Sequence, residues 1–228
     1  MEIEIKPRKV VQFLLVLAVG FTLLNIAGQF TAIYLGHTIM FSLFNLEGEK
    51  SIPRFYSEGL LLLCSGLLLT IAVAKKGDNT HSFFYWLGLT FIFLFLAMIK
   101  NSAFHEILAV PMRSALNMSK LQFYAWLYGI LLVIFSVVYL KFFLNLPRKT
   151  MLLFAIGGFV FITGAFGLDL VVAYLGNSIS HYSVAYISLA TLEAVLEMAG
   201  VIVFVYALLL YMSSEFKWIR VKISESQM

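Results

Sequence analysis

Six long apolar runs, broken only by short polar segments, occupy almost all of this 228-residue chain. Lipid is therefore the solvent its backbone must satisfy. A helix needs about 20 mostly apolar residues to cross a bilayer core, and the runs at 13–34, 57–74, 83–101, 121–143, 151–174 and 184–212 are of that kind. Unpaired backbone groups are prohibitive in hydrocarbon, which leaves helices or a closed barrel. The runs are continuous rather than alternating, which selects helices. The last run is long enough to tilt or to project beyond the membrane. Only 12% of the residues are charged, against roughly 25% in soluble domains. No linker, low-complexity tract or internal repeat divides the chain. The expected fold is all-α: one transmembrane domain over residues 1–228, a polytopic membrane helix bundle of six transmembrane helices.

The basic residues orient such a bundle. With six spans, eleven Lys and Arg fall on the side of the two chain ends, within 6–9, 75–76, 141–149 and 217–222. Five fall on the other: Lys50, Arg54, Lys100, Arg113 and Lys120. Positively charged loops stay inside, so both termini are expected to be cytoplasmic. The net charge of +4 reads as this topology signal, compatible with attraction to anionic lipid. The basic residues are too dispersed to line a nucleic-acid groove. The first apolar run exceeds the 7–15 residues of a secretory signal core and is read as an uncleaved helix. The one cysteine, Cys64, leaves no intrachain disulfide to form and reads as small apolar filler.

Aromatic residues stand near the expected interfaces: Tyr85 and Trp86, Tyr124 with Trp126 and Tyr128, Tyr211 and Trp218. Amphipathic rings prefer the headgroup level. The loop at 36–56 contains Ile39, Met40, Phe41, Leu43 and Phe44, which suggests a short helix on the outer surface. A second outer loop covers 102–120, and Leu146-Pro147-Arg148-Lys149 forms a tight inner turn. Gly157, Gly158, Gly164 and Gly167 give the fifth run a small-residue surface, suited to close helix packing in lipid.

Charges at membrane depth need a reason, since each costs at least ~2.5–3.5 kcal/mol at the centre. Glu193 and Glu197, four apart, share a helix face. At ~1.5 Å rise per residue, they lie ~14 and ~20 Å below the outer start of the sixth run. By the same count Asp169 lies ~27 Å from the inner start of the fifth. Glu58, Lys100, His105, Glu106 and Arg113 stand near the outer ends of their runs. Together these eight residues make an outer-half polar cluster, structural or binding. Several readings stay open. His105, Glu106, Asp169, Glu193 and Glu197 are ligand types for a metal-dependent intramembrane hydrolase, although His37, His81, His105 and His181 include no pair at helical ligand spacing. Glu193 and Glu197 are candidates to relay protons or hold a cation in a transporter, although no broken helix or repeat accompanies them. The charges also suffice to pair among themselves, Lys100 and Arg113 offsetting Asp169, Glu193 and Glu106. Pigment, haem or quinone binding, with His105 or His181 as an axial ligand, is a further reading.

Several segments carry a resemblance: Ile52-Pro53-Arg54-Phe55-Tyr56-Ser57, the stretch 91–106, the stretch 144–147, Gly164-Ala165-Phe166-Gly167-Leu168-Asp169, and Thr191-Leu192-Glu193-Ala194-Val195-Leu196-Glu197-Met198. Over about residues 50–212 the chain resembles a family of uncharacterised bacterial six-helix membrane proteins, frequent in cyanobacteria. The third helix of that family typically reads Leu-Asp-Glu, four residues, then His-Glu. Its sixth typically reads Thr-Leu-Glu-Glu-Val-Leu-Glu-Met. The resemblance implies a bacterial inner-membrane protein, with a metal or proton site in the outer half of typical members. This chain keeps His105, Glu106, Glu193 and Glu197, and Asp169 where an acid is usual. It departs at Ile99 and Lys100, in place of Asp-Glu, and at Ala194, in place of Glu. Three carboxylates lost and one cation gained would neutralise a cation site. Ser102-Ala103-Phe104-His105 is similar to the serine–histidine helix of alkaline-ceramidase-like hydrolases, but the paired late histidines of those enzymes are missing. The expectation is a non-catalytic accessory or scaffold subunit with no cofactor or metal beyond bound lipid. Its expected partners are the bilayer and another membrane protein or a second copy.

Overall fold

The structure is a computed structural model that describes residues 6–36, 39–46, 48, 50–77, 80–101, 104–176 and 184–216. Among these residues it is almost entirely helical, with no strand. Six helices are long and apolar enough to cross a membrane, so this is a multi-pass integral membrane protein. The expected all-α six-span architecture is borne out.

The first span is α1 (Pro7–Leu35), opened by its own proline and closed at Gly36 with φ +69°. A short helix, α2 (Ile39–Phe44), doubles back along α1 and packs its backbone against Gly28. α3 (Ile52–Lys75) starts earlier than the apolar run implied, because Ser51 caps it and Pro53 lies in its first turn. α4 (Thr80–Asn101) packs along the length of α3. Between the third and fourth spans lies α5 (Phe104–Ala115), with Pro111 inside it. α6 (Lys120–Leu144) begins at a capping box, Ser119 with Gln122. Pro147 ends the following turn, and α7 (Arg148–Ile162) begins directly after it.

The fifth span is not one regular helix. α7 passes into a π-helical segment, Thr163–Leu168, and then into α8 (Asp169–Gly176). This corrects the expectation of unbroken spans. The Thr163 hydroxyl donates to the Phe159 carbonyl at 2.8 Å, a side-chain bond that competes with the helical ladder. The last span, α9 (Val184–Glu215), has 32 residues and touches α1, α3, α7, the π segment and α8.

α7 and α9 meet backbone to backbone. A methyl carbon placed on Gly200 would lie 2.7 Å from the Phe161 nitrogen and 2.9 Å from the Gly157 carbonyl oxygen. Gly164 of the π segment is as tight, 2.9 Å from the Glu193 carbonyl oxygen and 3.0 Å from the Glu197 nitrogen. Small residues permit this approach, and dispersion and polar contacts across it hold helices together in lipid. Of the four glycines singled out, Gly157 and Gly164 lie at this seam. A methyl on Gly158 would only graze Phe204 at 3.8 Å, and one on Gly167 would meet, among the described residues, the Ile162 carbonyl of its own span at 3.9 Å.

Trp86 corrects a second expectation. It is fully buried rather than set at the headgroups, with ring centroids 5.1 Å from Phe142 and 5.0 Å from Tyr211. An aromatic ring on the face that meets other helices packs as core. At this end of the bundle Lys75 of α3 pairs with Glu215 of α9 at 2.9 Å.

The seam is testable. Gly200→Ala should lower stability by about 1–3 kcal/mol, the usual cost of overpacking a filled interior. Gly20→Ala in α1, where a methyl meets nothing within 4 Å, should be neutral or slightly stabilising, since alanine is the better helix former. Unfolding midpoints of both variants in detergent check this; equal midpoints would remove the seam as a structural determinant.

Candidate functional site

Levels along the helices follow from the Lys75–Glu215 pair. At ~1.5 Å per residue, Glu197 lies ~27 Å up α9, Lys100 ~30 Å up α4 from Thr80, and Arg54 ~32 Å up α3 from Lys75. The three are therefore nearly level, at the end of the bundle away from Lys75.

At this level Lys100 donates its ammonium to the carboxylate of Glu197, and both side chains are mostly buried. The Lys100 carbonyl in turn accepts a hydrogen bond from the Arg54 guanidinium. Carbonyls in the last turn of a helix have no intrahelical donor, so Arg54 satisfies one of them at the end of α4. A cation there also complements the negative end of the helix dipole. Arg54 further faces Glu58, one turn on, with its Nε 3.7 Å from the carboxylate. Glu58 is buried. The result ties α3, α4 and α9 together through two cations and two acids. Lys100 does sit among acids, with Glu197 as its partner, a pairing the sequence did not single out. Arg54, read from sequence as a loop residue, belongs to the same network.

A cavity of about 430 Å³ opens beside the pair. Its polar lining is Arg54, Lys100, Glu193, Glu197, Tyr128 and Tyr186; its apolar walls include Leu96, Ile99, Phe161 and Phe166. The π segment supplies Ala165 and Phe166, and the Phe166 ring stacks on Tyr128 of α6 at 4.5 Å. The charged lining balances, two positive against two negative. Such a hollow can take a small amphipathic molecule, and the ammonium already neutralises one of its two acids.

The other predicted site residues scatter. Arg113 stands on α5, half-buried, with no ion pair among the described residues. The backbones of His105, Glu106 and Asp169 are helical, but their side chains lie outside the described residues, as do His37, His181, Trp218 and the side chain of His81. Among the described residues no three His, Cys, Asp or Glu side chains gather as metal ligands.

One polar node escaped the sequence reading. Asn25, buried within the apolar run of α1, donates to the Thr191 hydroxyl of α9 at 3.1 Å. Its carbonyl oxygen accepts from Gln29 at 3.2 Å and from the Leu46 backbone N–H at 3.3 Å. The spacing of Asn25 and Gln29, one turn apart, was the available signal. The node anchors α1 and the doubled-back segment to α9, two residues before Glu193. Cys64 also faces α9, with its sulfur 3.8 Å from the Val201 carbonyl oxygen.

A family described as a domain of unknown function (DUF8692) matches residues 8–212, which reach into every span and hold Arg54, Glu58, Lys100 and Glu197. The chain belongs to this family. The resemblance to an uncharacterised family is thereby sustained at that level. Neither a curated protein nor a solved structure matches the chain.

The network predicts an asymmetric mutational response. Lys100→Met should destabilise the protein by about 3–5 kcal/mol, because it strands a buried carboxylate. Adding Glu197→Met should recover most of that loss, since a buried pair replaced by apolar groups is often near neutral. Denaturation of the single and double variants in detergent decides it. A Lys100→Met effect within ~0.5 kcal/mol, the range of surface sites, would mean that the amine reaches water instead.

Proposed function

We propose that this protein is a non-catalytic accessory or scaffold subunit that packs against other membrane proteins. The observation that carries the reading is the ammonium of Lys100 seated on Glu197. A divalent cation or a transferable proton would need that carboxylate, and a resident cation competes for it. The compensated charges then serve to hold α3, α4 and α9 in register. α6 adds support: Phe123, Tyr139 and Phe142 are its buried side chains, while Val133, Val137 and Leu140 stay exposed, a surface for lipid or a partner helix. We place the protein in a bacterial inner membrane with both termini cytoplasmic, on the strength of the basic-residue bias and the resemblance. Extraction from such a membrane in mild detergent should give a particle larger than the monomer, containing a second membrane protein or a second copy. The same preparation carries a carboxy-terminal tag, which should resist protease in intact spheroplasts. A lone monomer would end the subunit reading, and a cleaved tag would reverse the orientation.

The π-helical interruption beside the cavity favours a second reading, a proton- or cation-coupled transporter. π turns inside α-helices are frequent at functional sites, and irregular backbone at membrane depth is tolerated where it lines a cavity. On this reading Glu197 exchanges Lys100 for the transported charge. Acid-driven uptake into liposomes carrying the protein, abolished by Glu197→Gln, is the expected result. Flux equal to that of empty liposomes would dismiss it.

A further inference from the structure

At the Lys75 end of the bundle the helices part around a second, wider cavity of about 950 Å³. Its lining includes Lys75, Lys141, Arg148, Asn145 and Glu215. Glu215 is already engaged, 2.9 Å from the Lys75 amine. That amine also lies over the Tyr211 and Phe216 rings, 5.9 and 5.5 Å from their centroids, so the pair forms a closed wall. Lys141 and Arg148 remain, exposed and without an ion pair among the described residues. The lining thus carries an excess of two positive charges. Arg148 also opens α7, whose first turn has no side-chain cap, so backbone N–H groups add positive potential. Tyr85 and Phe142, stacked at 5.0 Å, supply an aromatic wall. Beside the cavity α6 turns Val137, Leu140 and Leu144 outward, an apolar surface continuous with the spans.

A cationic hollow at the end of the membrane spans, flanked by exposed apolar helix, has the parts that an anionic amphiphile requires. We propose that this cavity is a binding site for the phosphate headgroup of an anionic phospholipid. Lys141 and Arg148 hold the phosphate, the arginine through its paired N–H donors, while the acyl chains lie along α6. Basic pockets between transmembrane helices recognise headgroups in this way. The inference is independent of the subunit and transporter readings and of which side of the membrane this end faces.

The test is native mass spectrometry of the full chain in mild detergent, titrated with phosphatidylglycerol and with phosphatidylcholine of the same acyl chains. Phosphatidylglycerol should be held more tightly. Each basic residue near a bound anionic headgroup contributes about fivefold, so Lys141→Gln with Arg148→Gln should reduce the preference by roughly 25-fold. The charge-keeping pair Lys141→Arg with Arg148→Lys should preserve it, and both side chains are exposed enough for these variants to fold. Lys9→Gln, on the same end but away from the cavity lining, should leave it unchanged. Equal retention of the two lipids, a preference that survives the double glutamine variant, or an equal loss in Lys9→Gln would overturn the site. Displacement of the lipid by millimolar inorganic phosphate would overturn the lipid as its occupant and assign it to a free anion.

Discussion

The backbone contact between α7 and α9 governs what the rest of the bundle can do. With Gly157 and Gly200 facing each other, no side chain separates the two helices, so their relative height and rotation have little freedom. The contact continues to Gly164, which rests on the turn of α9 that carries Glu193 and Glu197. From there the π turn changes the helical rotation and brings Ala165 and Phe166 to the cavity. The position of the acids relative to the cavity is thus a consequence of glycines that carry no chemistry.

Charge at this depth is tolerated because it is shared. Lys100 answers Glu197, Arg54 faces Glu58, and Arg54 also satisfies a terminal carbonyl of α4. Each group left alone would bear the full cost of losing water. The same arrangement limits the chemistry available. Glu197 is occupied by a cation from the chain itself, while the hollow beside it remains large enough for a small molecule. On the two proposed readings Glu197 either stays paired with Lys100 or exchanges it for a transported charge, and that choice separates the subunit from the transporter.

Much of the fold was legible because the bilayer imposes it: a run of apolar residues of the right length has few alternatives to a membrane-crossing helix. The ends of the helices were less legible by hydropathy alone. Ser51 with Pro53, and Ser119 with Gln122, are local start signals that extend α3 and α6 beyond their apolar runs. Trp86 was misplaced because an interfacial ring and a core ring have the same sequence context; only the neighbouring helix distinguishes them. Asn25 was passed over inside a strongly apolar run, and Gly200 because a lone glycine in a long helix is unremarkable until its partner is known.

Residue types and their spacing, by themselves, determined that this chain crosses a membrane six times as helices, that acids and a lysine stand near one end of the spans, and that the fifth span has a small-residue face. Those follow from local physics: solvent, helical rise and side-chain size. Tertiary structure decided that Lys100 meets Glu197, that Arg54 joins them, that the fifth span breaks into a π turn, and that cavities open at both ends. Each of these depends on the height and rotation of one helix against another. Lipid drives all six helices into the membrane alike and does not set their mutual register; backbone contacts such as Gly157 against Gly200 do.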